Sequence, residues 1–288
     1  MRKDISTCRT PAHAAAVGRR PGISVDPVRL ASFNLLHGRS LTDGQVVPER
    51  LAGAVSSLDA NVLAIQEVDR HQPRTASRDQ TADVAAASEA PDGAWRFAAA
   101  IIGTPGGSWH EAADPCRPGD SASYGVGLVS RLPVLAWHVL RLPAAPVRSP
   151  VLIPGAGRRV RLLPDEPRVG LAAVVQLPTG GLLTVASTHL SFVPGWNLVQ
   201  LHRLTRWLQR LPQPVVLLGD LNLPGRVPAL LPGWRSLASH PTFPAPQPRW
   251  QLDHALAHGS VPHVLRSAAV ELPLSDHRAL AVELGTRP

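Results

Sequence analysis

The apolar run of residues 215–218 ends in Gly219, and the chain then reads Asp220-Leu221-Asn222. Four aliphatic residues in a row predict a strand that is buried on both faces. Gly219 lets the backbone turn sharply, so we expect the strand to end there. On an extended backbone, Asp220 and Asn222 point to the same side. Their two oxygen donors suit a divalent cation or an ordered water, although Asp and Asn are also common turn formers at strand ends.

Strand-like segments outnumber helical ones along the chain. Helices are predicted over residues 48–58, 79–89 and 196–211, and the first has Pro48 in its opening turn and one apolar face. Strands are predicted over residues 28–33, 62–65, 124–131, 134–142, 169–177, 182–188, 214–219, 252–256, 264–272 and 279–284. Because few helices intervene, this order favours an α/β sandwich of two packed, mixed β-sheets over a Rossmann-type series.

The first 27 residues differ in character from the rest of the chain. Residues 1–27 lack periodicity and contain three prolines, which predicts a disordered basic extension ahead of one domain over residues 28–288. No apolar run approaches about 18 residues, so no transmembrane helix is expected. The apolar run of residues 14–17 is too short for the core of a signal peptide. We therefore expect a cytoplasmic protein, and a monomer.

The net charge of +8 is concentrated in two segments. Residues 1–27 carry five cations against two acids, and residues 146–168 carry five arginines against two acids. Both segments are rich in Pro, Gly and Ala, which is typical of loops. Lys3 is the only lysine. The many arginines suit bidentate phosphate binding but fit a coding bias toward arginine equally well. The two segments indicate an anionic partner without identifying a nucleic acid.

Polar side chains recur where the apolar strands stop. Such strand-end positions usually carry function in a layered α/β domain. The set combines carboxylates, amides and two histidines, with no serine or cysteine in a recognisable nucleophile motif. This is a suitable donor set for Mg²⁺ or Mn²⁺ and for histidine-assisted phosphoester cleavage. For each histidine alone, a structural role is the simpler interpretation. The set is Asn34, Glu67, His189, Asp220, Asn222, Asp253, Asp276 and His277.

These residues stand in short motifs that follow one another in a fixed order. The motifs are Phe33-Asn34, Gln66-Glu67, Tyr124-Gly125 with Leu128-Val129-Ser130-Arg131, Ser187-Thr188-His189-Leu190, Gly219-Asp220-Leu221-Asn222, Leu252-Asp253-His254 and Ser275-Asp276-His277. In this order they resemble the motifs of the endonuclease/exonuclease/phosphatase superfamily, over about residues 28–284. The stretch of residues 67–80 resembles a bacterial metal-dependent hydrolase branch. The resemblance implies a four-layer, deoxyribonuclease-like α/β sandwich with helices flanking the two sheets.

The resemblance also implies a metal site. Glu67 would be the principal ligand of Mg²⁺ or Mn²⁺, with Asn34 beside it. Asp276 would complete the coordination through water. Taken alone, Glu67 could equally be a surface acid that follows a strand, and Asn34 a turn residue.

The remaining motif residues would act on water and phosphate. The resemblance implies that Asp220 orients or deprotonates the attacking water, or holds a second metal. Asn222 would donate to a phosphate oxygen. His277 would face the phosphate, with Asp253 accepting from its other ring nitrogen and fixing the tautomer. His189 would be a second phosphate-facing histidine and the acid for the leaving group.

Together these features predict a divalent-metal-dependent phosphoester hydrolase. A phosphodiesterase or nuclease that uses direct in-line water attack is the leading hypothesis, with DNA among the candidate substrates. A phosphatase or phospholipase C-type enzyme for small or lipid phosphoesters is the alternative. A non-catalytic, anion-binding scaffold of the same fold is a second alternative. His254 directly follows Asp253, so we expect its side chain to face away from the site.

Overall fold

The computed structural model describes residues 5–8, 27–153 and 159–285. The described residues form two seven-stranded sheets, a separate two-stranded sheet and three α-helices. The helices are α1 (Pro48–Leu58), α2 (Gln80–Ala87) and α3 (Trp196–Leu208). The strands are β1 (Ile5–Cys8), β2 (Val28–Asn34), β3 (Val62–Arg70), β4 (Trp95–Gly103), β5 (Trp109–Glu111), β6 (Ser123–Ser130), β7 (Val134–Leu142), β8 (Arg148–Ile153), β9 (Arg159–Pro164), β10 (Arg168–Gln176), β11 (Leu182–His189), β12 (Val215–Asp220), β13 (Trp234–Ser236), β14 (Asp253–His258), β15 (Val264–Val270) and β16 (Ala279–Leu284).

Both large sheets are mixed. The first has the strand order β1-β7-β10-β11-β12-β14-β13, and the second has the order β15-β16-β2-β3-β6-β4-β5. Each contains one parallel pair among its described strands, β11 with β12 and β2 with β3, while the other pairs are antiparallel. Since the carboxyl ends of parallel strands lie at one edge, each sheet has one edge where the ends of two strands meet.

The helices and sheets form four layers. The inner faces of the two sheets bury a common core that includes Leu128 and Val216. Helices α1 and α2 pack on the outer face of the second sheet, where Leu51 joins a second buried cluster. Helix α3 packs on the outer face of the first sheet through residues such as Leu204. The predicted sandwich of two packed, mixed sheets flanked by helices is confirmed.

Several element boundaries agree with the sequence. Helix α1 and strands β7 and β16 have the predicted limits. The expectation that Gly219 ends its strand is wrong, because Gly219 lies inside β12, paired with Thr188 and His254. Its φ is 154°, and a Cβ added there would lie 2.1 Å from the carbonyl oxygen of Thr188. Gly219 is therefore required for the close approach of two strands rather than for a turn.

Three other expectations are corrected. Residues 146–168, predicted to be loop-like, contain strands β8 and β9, which pair in antiparallel orientation. Residues 5–8, expected to be disordered, form β1 and pair with β7, whereas the rest of residues 1–26 lies outside the described residues. Strand β3 continues to Arg70, so Glu67 lies within a strand rather than after one. None of the helices in the described part of the chain has the length and apolar character needed to cross a membrane.

Candidate active site

Three of the predicted site residues form one row across the first sheet. In the parallel pair of β11 and β12, His189 is aligned with Asp220. In the antiparallel pair of β12 and β14, Asp220 is aligned with Asp253. All three side chains are buried. Strand register, which is set by the apolar ladders behind them, therefore brings together residues that are far apart in sequence.

The second sheet supplies Asn34 and Glu67 at the facing edge. Asn34 is the last residue of β2. Glu67 lies at a bulge in β3, between Ile65 and Val68, with a φ of +54°. A positive φ is uncommon for a residue that is not glycine, and bulges often re-aim a side chain beside a functional site. The local backbone of β3 thus turns Glu67 toward the first sheet.

The amide of Asn34 joins the two sheets. Its Nδ2 donates to Glu67 Oε1 at 3.1 Å and to Asp220 Oδ2 at 3.1 Å. Its Oδ1 accepts from the backbone N–H of Leu36 at 3.1 Å. In this orientation the nitrogen of Asn34, not its oxygen, faces the carboxylates. Asn34 Nδ2 therefore bridges the two carboxylates, and the role of Asn34 as a metal ligand stays a prediction.

The turn before β16 carries His277 into the site. Ser275 Oγ donates to the carbonyl oxygen of Asn34 at 2.6 Å and accepts from the backbone N–H of His277 at 3.1 Å. His277 Nδ1 lies 2.8 Å from Asp253 Oδ2, and its Nε2 lies 3.7 Å from Asp220 Oδ2. Because a carboxylate only accepts, Asp253 places a proton on Nδ1. This is the predicted Asp253–His277 contact, and it leaves Nε2 facing Asp220.

Burial and neighbouring charges set the protonation states of this pair. Burial acts to lower the pKa of His277, but the carboxylates of Asp253, Asp220 and Asp276 raise it to about 10. Burial, together with the negative charge of Asp253, raises the pKa of Asp220 to about 7 from its ordinary value of 3.8. His277 is therefore an imidazolium at neutral pH, and Asp220 titrates in the range expected of a general base.

His189 and Asn222 form a separate hydrogen-bonded pair. Asn222 Nδ2 donates to the carbonyl oxygen of Leu190 at 3.0 Å and to His189 Nε2 at 3.2 Å. Burial lowers the pKa of His189 well below its ordinary value, and the positive charges of Arg168 and His277 lower it further. His189 is therefore a neutral acceptor. Both amide hydrogens of Asn222 are therefore engaged, and its donation to a phosphate oxygen stays a prediction.

Glu67 and Asp276 together have the properties of a cation site. Burial raises the pKa of Glu67, and the nearby charge of Asp276 raises it further. Asp276 Oδ1 is buried and has no hydrogen-bond partner among the described residues. Two carboxylates that repel each other, one with an unpartnered oxygen, fit a hard divalent cation that coordinates oxygen. The residues present are therefore compatible with Mg²⁺ or Mn²⁺.

A second group of potential ligands lies beside this pair. The ligand atoms of Asp220, Asp253 and His277 all lie within 4.8 Å of one another. However, the 2.8 Å contact between His277 Nδ1 and Asp253 Oδ2 already uses one nitrogen and one oxygen of that group. A protonated His277 would also repel a cation. We therefore regard Glu67 with Asp276 as the better candidate.

The site opens into a cavity of about 380 Å³. Five of the eight predicted residues line it, namely Glu67, His189, Asp220, Asn222 and His277. Asn34 and Asp253 lie behind them and hold Glu67, Asp220 and His277 in place. His254 points elsewhere, with Nε2 2.8 Å from the carbonyl oxygen of Leu223, so the expectation for His254 is confirmed.

Arg168 belongs to the basic segment of residues 146–168, but the sequence analysis did not place it among the site residues. It is 6% exposed and lines the cavity. Its Nε has no hydrogen-bond partner among the described residues, and its Nη2 lies 3.7 Å from Asp165 Oδ1. The signal was present in the strands predicted over residues 169–177 and 182–188, which are close enough in sequence to form a hairpin. The start of the first strand of a hairpin lies beside the end of the second, which here carries His189.

Other missed residues complete the cavity wall. They lie in segments that contain none of the predicted motifs. They are Gly106, Gly107, Trp109, Pro164, Glu166 and Phe192. Tyr124, from the predicted Tyr124-Gly125 motif, lines the cavity beside them. Burial raises the pKa of Tyr124 well above its ordinary value, as does the charge of Glu67, so Tyr124 remains a neutral phenol.

A comparison with protein families supports the resemblance that the sequence motifs indicated. The sequence model of the endonuclease/exonuclease/phosphatase family matches residues 31–277. The chain therefore belongs to the endonuclease/exonuclease/phosphatase family. No curated protein matches it with significance.

Solved structures share the fold at low sequence identity. An endonuclease/exonuclease/phosphatase from Beutenbergia cavernae is 21% identical with a TM-score of 0.61, covering 91% of this chain and 73% of that one. The mannosyl-6-phosphatase Bt3783 of Bacteroides thetaiotaomicron is 16% identical with a TM-score of 0.58, and the match covers 89% of this chain and 99% of that one. TDP2 of D. rerio, complexed with a single-strand DNA product, is 16% identical with a TM-score of 0.52, and the match covers 90% of this chain and 99% of that one.

Proposed function

We propose that the chain is a divalent-metal-dependent phosphoester hydrolase in which water attacks phosphorus directly. The observation that carries the proposal is geometric: Asn34 Nδ2 lies 3.1 Å from both Glu67 Oε1 and Asp220 Oδ2. His277 Nε2 lies 3.7 Å from Asp220 Oδ2, and Glu67, Asp220 and His277 all line one cavity. A buried base, a fixed positive charge and a set of oxygen ligands are the parts that this chemistry needs.

Glu67 and Asp276 would hold the cation. When bound, a divalent cation would neutralise charge on the phosphoryl oxygens. Asp220 would take a proton from water as the water oxygen bonds to phosphorus and the bond to the leaving oxygen breaks. In this transition state, negative charge spreads over the equatorial oxygens. His277 Nε2 would donate to one of these oxygens and stabilise that charge electrostatically.

Arg168 and His189 would have supporting roles. Arg168 lines the cavity with an unpartnered Nε, which suits a guanidinium that binds a phosphoryl oxygen. His189 is neutral, so it is less suited to protonate the leaving group than the sequence suggested.

Two substrate classes are in keeping with the site. The sequence favours a phosphodiesterase or nuclease, and the likeness to TDP2 in complex with a DNA product supports that class. The compact cavity favours a small phosphoester, and the likeness to a mannosyl-6-phosphatase supports this second candidate.

The test is hydrolysis of bis-p-nitrophenyl phosphate and p-nitrophenyl phosphate with Mg²⁺, Mn²⁺ or chelator. Glu67→Gln should lower kcat/KM at least about 100-fold, since a cation ligand supplies several kcal/mol of transition-state stabilisation. Calorimetric titration with Mn²⁺ should show weaker binding by this variant. Glu111→Gln, on the exposed strand β5, is the matched control. Full Mg²⁺-dependent activity in Glu67→Gln would refute the assigned role, and a trapped phospho-enzyme would refute direct water attack.

A further inference from the structure

Residues 67–80 contain a buried amide that bridges two main-chain segments beside the site. Gln80 is the first residue of α2 and is 2% exposed. Its Oε1 accepts from the backbone N–H of Asp69 at 2.9 Å. Its Nε2 donates to the backbone carbonyl oxygen of His37 at 2.8 Å. Because the amide oxygen only accepts and the amide nitrogen only donates, these two partners define the orientation of the Gln80 side chain.

The first partner of Gln80 lies next to the bulge that carries Glu67. The irregular part of β3 lies between Ile65 and Val68, and Asp69 pairs with β6 directly after it. A bulge leaves the ladder of the sheet locally disrupted. The hydrogen bond from Asp69 to Gln80 therefore fixes the main chain of β3 next to the place where regular pairing is interrupted.

The second partner lies in the turn that follows Asn34. Leu36, His37 and Gly38 have φ values of 45°, 46° and 81°. Backbone conformations of this kind persist in residues other than glycine only where the surrounding structure holds them. A Cβ added at Gly38 would lie 3.1 Å from Gln80 Nε2, so the amide packs closely against this turn. The hydrogen bond from Gln80 to His37 therefore holds a strained turn in place.

The two partners of Gln80 are the two ends of one chain of contacts through the site. In the strained turn, the backbone N–H of Leu36 donates to Asn34 Oδ1 at 3.1 Å, which directs Asn34 Nδ2 toward Glu67. Asn34 Nδ2 then donates to Glu67 Oε1 at 3.1 Å. Glu67 is two residues before Asp69 along β3. A closed ring of hydrogen bonds and short main-chain links thus runs from Gln80 to Asn34, to Glu67 and back.

The segment that carries Gln80 is itself attached to β3. Asp79 Oδ1 accepts from the backbone N–H groups of Thr81 at 3.1 Å and Ala82 at 3.2 Å, which caps α2. Asp79 Oδ2 accepts from Arg70 Nε at 2.9 Å. Gln80 therefore reaches the site from a fixed helix start.

We propose that Gln80 is a positioning residue for the cation site, which sets the placement of Glu67 relative to Asn34 and so presents the Glu67 carboxylate to a divalent cation. The proposal rests on the proposed function, because it concerns the same cation. Gln80 acts through Glu67 and Asn34 rather than on the substrate. Partners that orient a metal ligand in this way are typically needed for full metal affinity.

The experiment compares Gln80→Met with Thr81→Val. Methionine keeps the length of glutamine but lacks the amide that makes both hydrogen bonds. Thr81 is the next residue of α2 and is also buried, and its Oγ1 has no hydrogen-bond partner among the described residues, so valine removes no such contact. Calorimetric titration with Mn²⁺ should give a Kd at least about tenfold higher for Gln80→Met and an unchanged Kd for Thr81→Val.

Steady-state kinetics gives a second readout, on whichever of the two p-nitrophenyl esters the wild-type protein hydrolyses. At a Mn²⁺ concentration equal to the wild-type Kd, kcat of Gln80→Met should fall about fivefold, as mass action requires for a tenfold weaker site. KM should change less than about twofold, because the phosphate-binding role assigned to Arg168 is untouched. Saturating Mn²⁺ should recover most of the loss in kcat. Urea unfolding with chelator reports any general loss of stability separately.

Two results would overturn the proposal. One is an equal Mn²⁺ Kd for Gln80→Met and Thr81→Val. The other is a loss of kcat that saturating Mn²⁺ leaves unchanged, because Gln80 would then act on a step other than cation binding. If Gln80→Met does not fold, Gln80→Asn replaces it, since its amide is one methylene too short to span both partners. Weaker Mn²⁺ binding by Gln80→Asn supports the proposal, and wild-type binding overturns it.

The wild-type protein separates this proposal from the proposed function. If it neither bound Mn²⁺ nor hydrolysed either ester, the proposed function itself would fail. If it did both while Gln80→Met matched the control, only the positioning role of Gln80 would fail.

Discussion

Asn34 and Asp220 are 186 positions apart in sequence and are joined by a 3.1 Å hydrogen bond. Asn34 ends a strand of one sheet, and Asp220 ends a strand of the other. The same amide nitrogen also reaches Glu67. A single carboxamide thus fixes the distance between the residue assigned to the cation and the residue assigned to water. The active site is consequently a property of how the two sheets pack together.

Asp253→Asn should lower the pKa of His277 from about 10, because the carboxylates of Asp253 and Asp220 oppose the effect of burial on this ring. The pKa can be followed by NMR titration of the imidazole resonances. His37 is an internal reference, since burial and nearby arginines hold its pKa at about 4 without any contribution from Asp253. Hydrolysis should fall about 100-fold, the range for a lost acid–base or electrostatic partner. An unchanged His277 titration would contradict the contact.

Asp220→Asn should change how stability depends on pH in the presence of chelator. The pKa of Asp220 is raised from 3.8 to about 7, so between these values the folded state binds more protons than the unfolded state. Stability should therefore fall as pH rises from 4 to 7. Urea unfolding at several pH values should show this slope in the wild-type protein and a shallower slope in Asp220→Asn. Asp92→Asn, on an exposed turn, should keep the wild-type slope. Equal slopes in all three proteins would contradict the raised pKa.

Arg168→Ala should raise KM for a phosphoester about tenfold, since a charge-assisted hydrogen bond contributes about 1.5–3 kcal/mol. Arg168→Lys should restore only part of the loss, because an ammonium group cannot reproduce the planar guanidinium. Arg148→Ala, which removes an exposed arginine of the same basic segment, is the control. Steady-state kinetics, with circular dichroism to verify folding, decides the question. A KM for Arg168→Ala equal to that of the control would exclude phosphate binding by Arg168.

Gly219→Ala should destabilise the protein by about 3 kcal/mol or more, because overpacking and an unfavourable φ add together. The added Cβ would meet the carbonyl oxygen of Thr188 at 2.1 Å. Gly53→Ala is the matched control, since Gly53 lies on the exposed face of α1 with nothing within 4 Å of its added Cβ. The control should be stabilised by about 0.5–1 kcal/mol through helix propensity. Similar unfolding free energies for both variants would contradict the close approach of β11 and β12.

The sequence predicted much of the fold because local pattern determines regular elements. Helix α1 has Pro48 at its start and an apolar face, and strand β7 alternates between buried and less buried residues. The limits of both were therefore predictable. The strands of residues 148–164 were not, because proline and glycine within that segment are typical of loops.

The candidate site was predicted by residue type, and its geometry depends on long-range structure. The eight motif residues include four acids and imidazoles that line the cavity, Glu67, His189, Asp220 and His277, and also Asp253, which contacts His277. They do not include Glu166, the remaining acid of the cavity wall. The positive φ of Glu67 and the amide orientation of Asn34 arise from a bulge and from inter-sheet packing. Neither leaves a pattern in the sequence. Gly106 and Glu166 meet across 60 positions, which no local signal reveals.

The in-register row of His189, Asp220 and Asp253 determines how the protein would lose activity under mild denaturation. A slip of β12 by one position would send Asp220 to the opposite face of the sheet. Partial unfolding of the first sheet around β12 should therefore abolish activity rather than reduce it. Inactivation by urea should coincide with faster hydrogen exchange at the β12 amides, and it should be insensitive to fraying of the edge strands β5 and β15. Turnover is thus a direct reporter of whether the middle of the first sheet is intact.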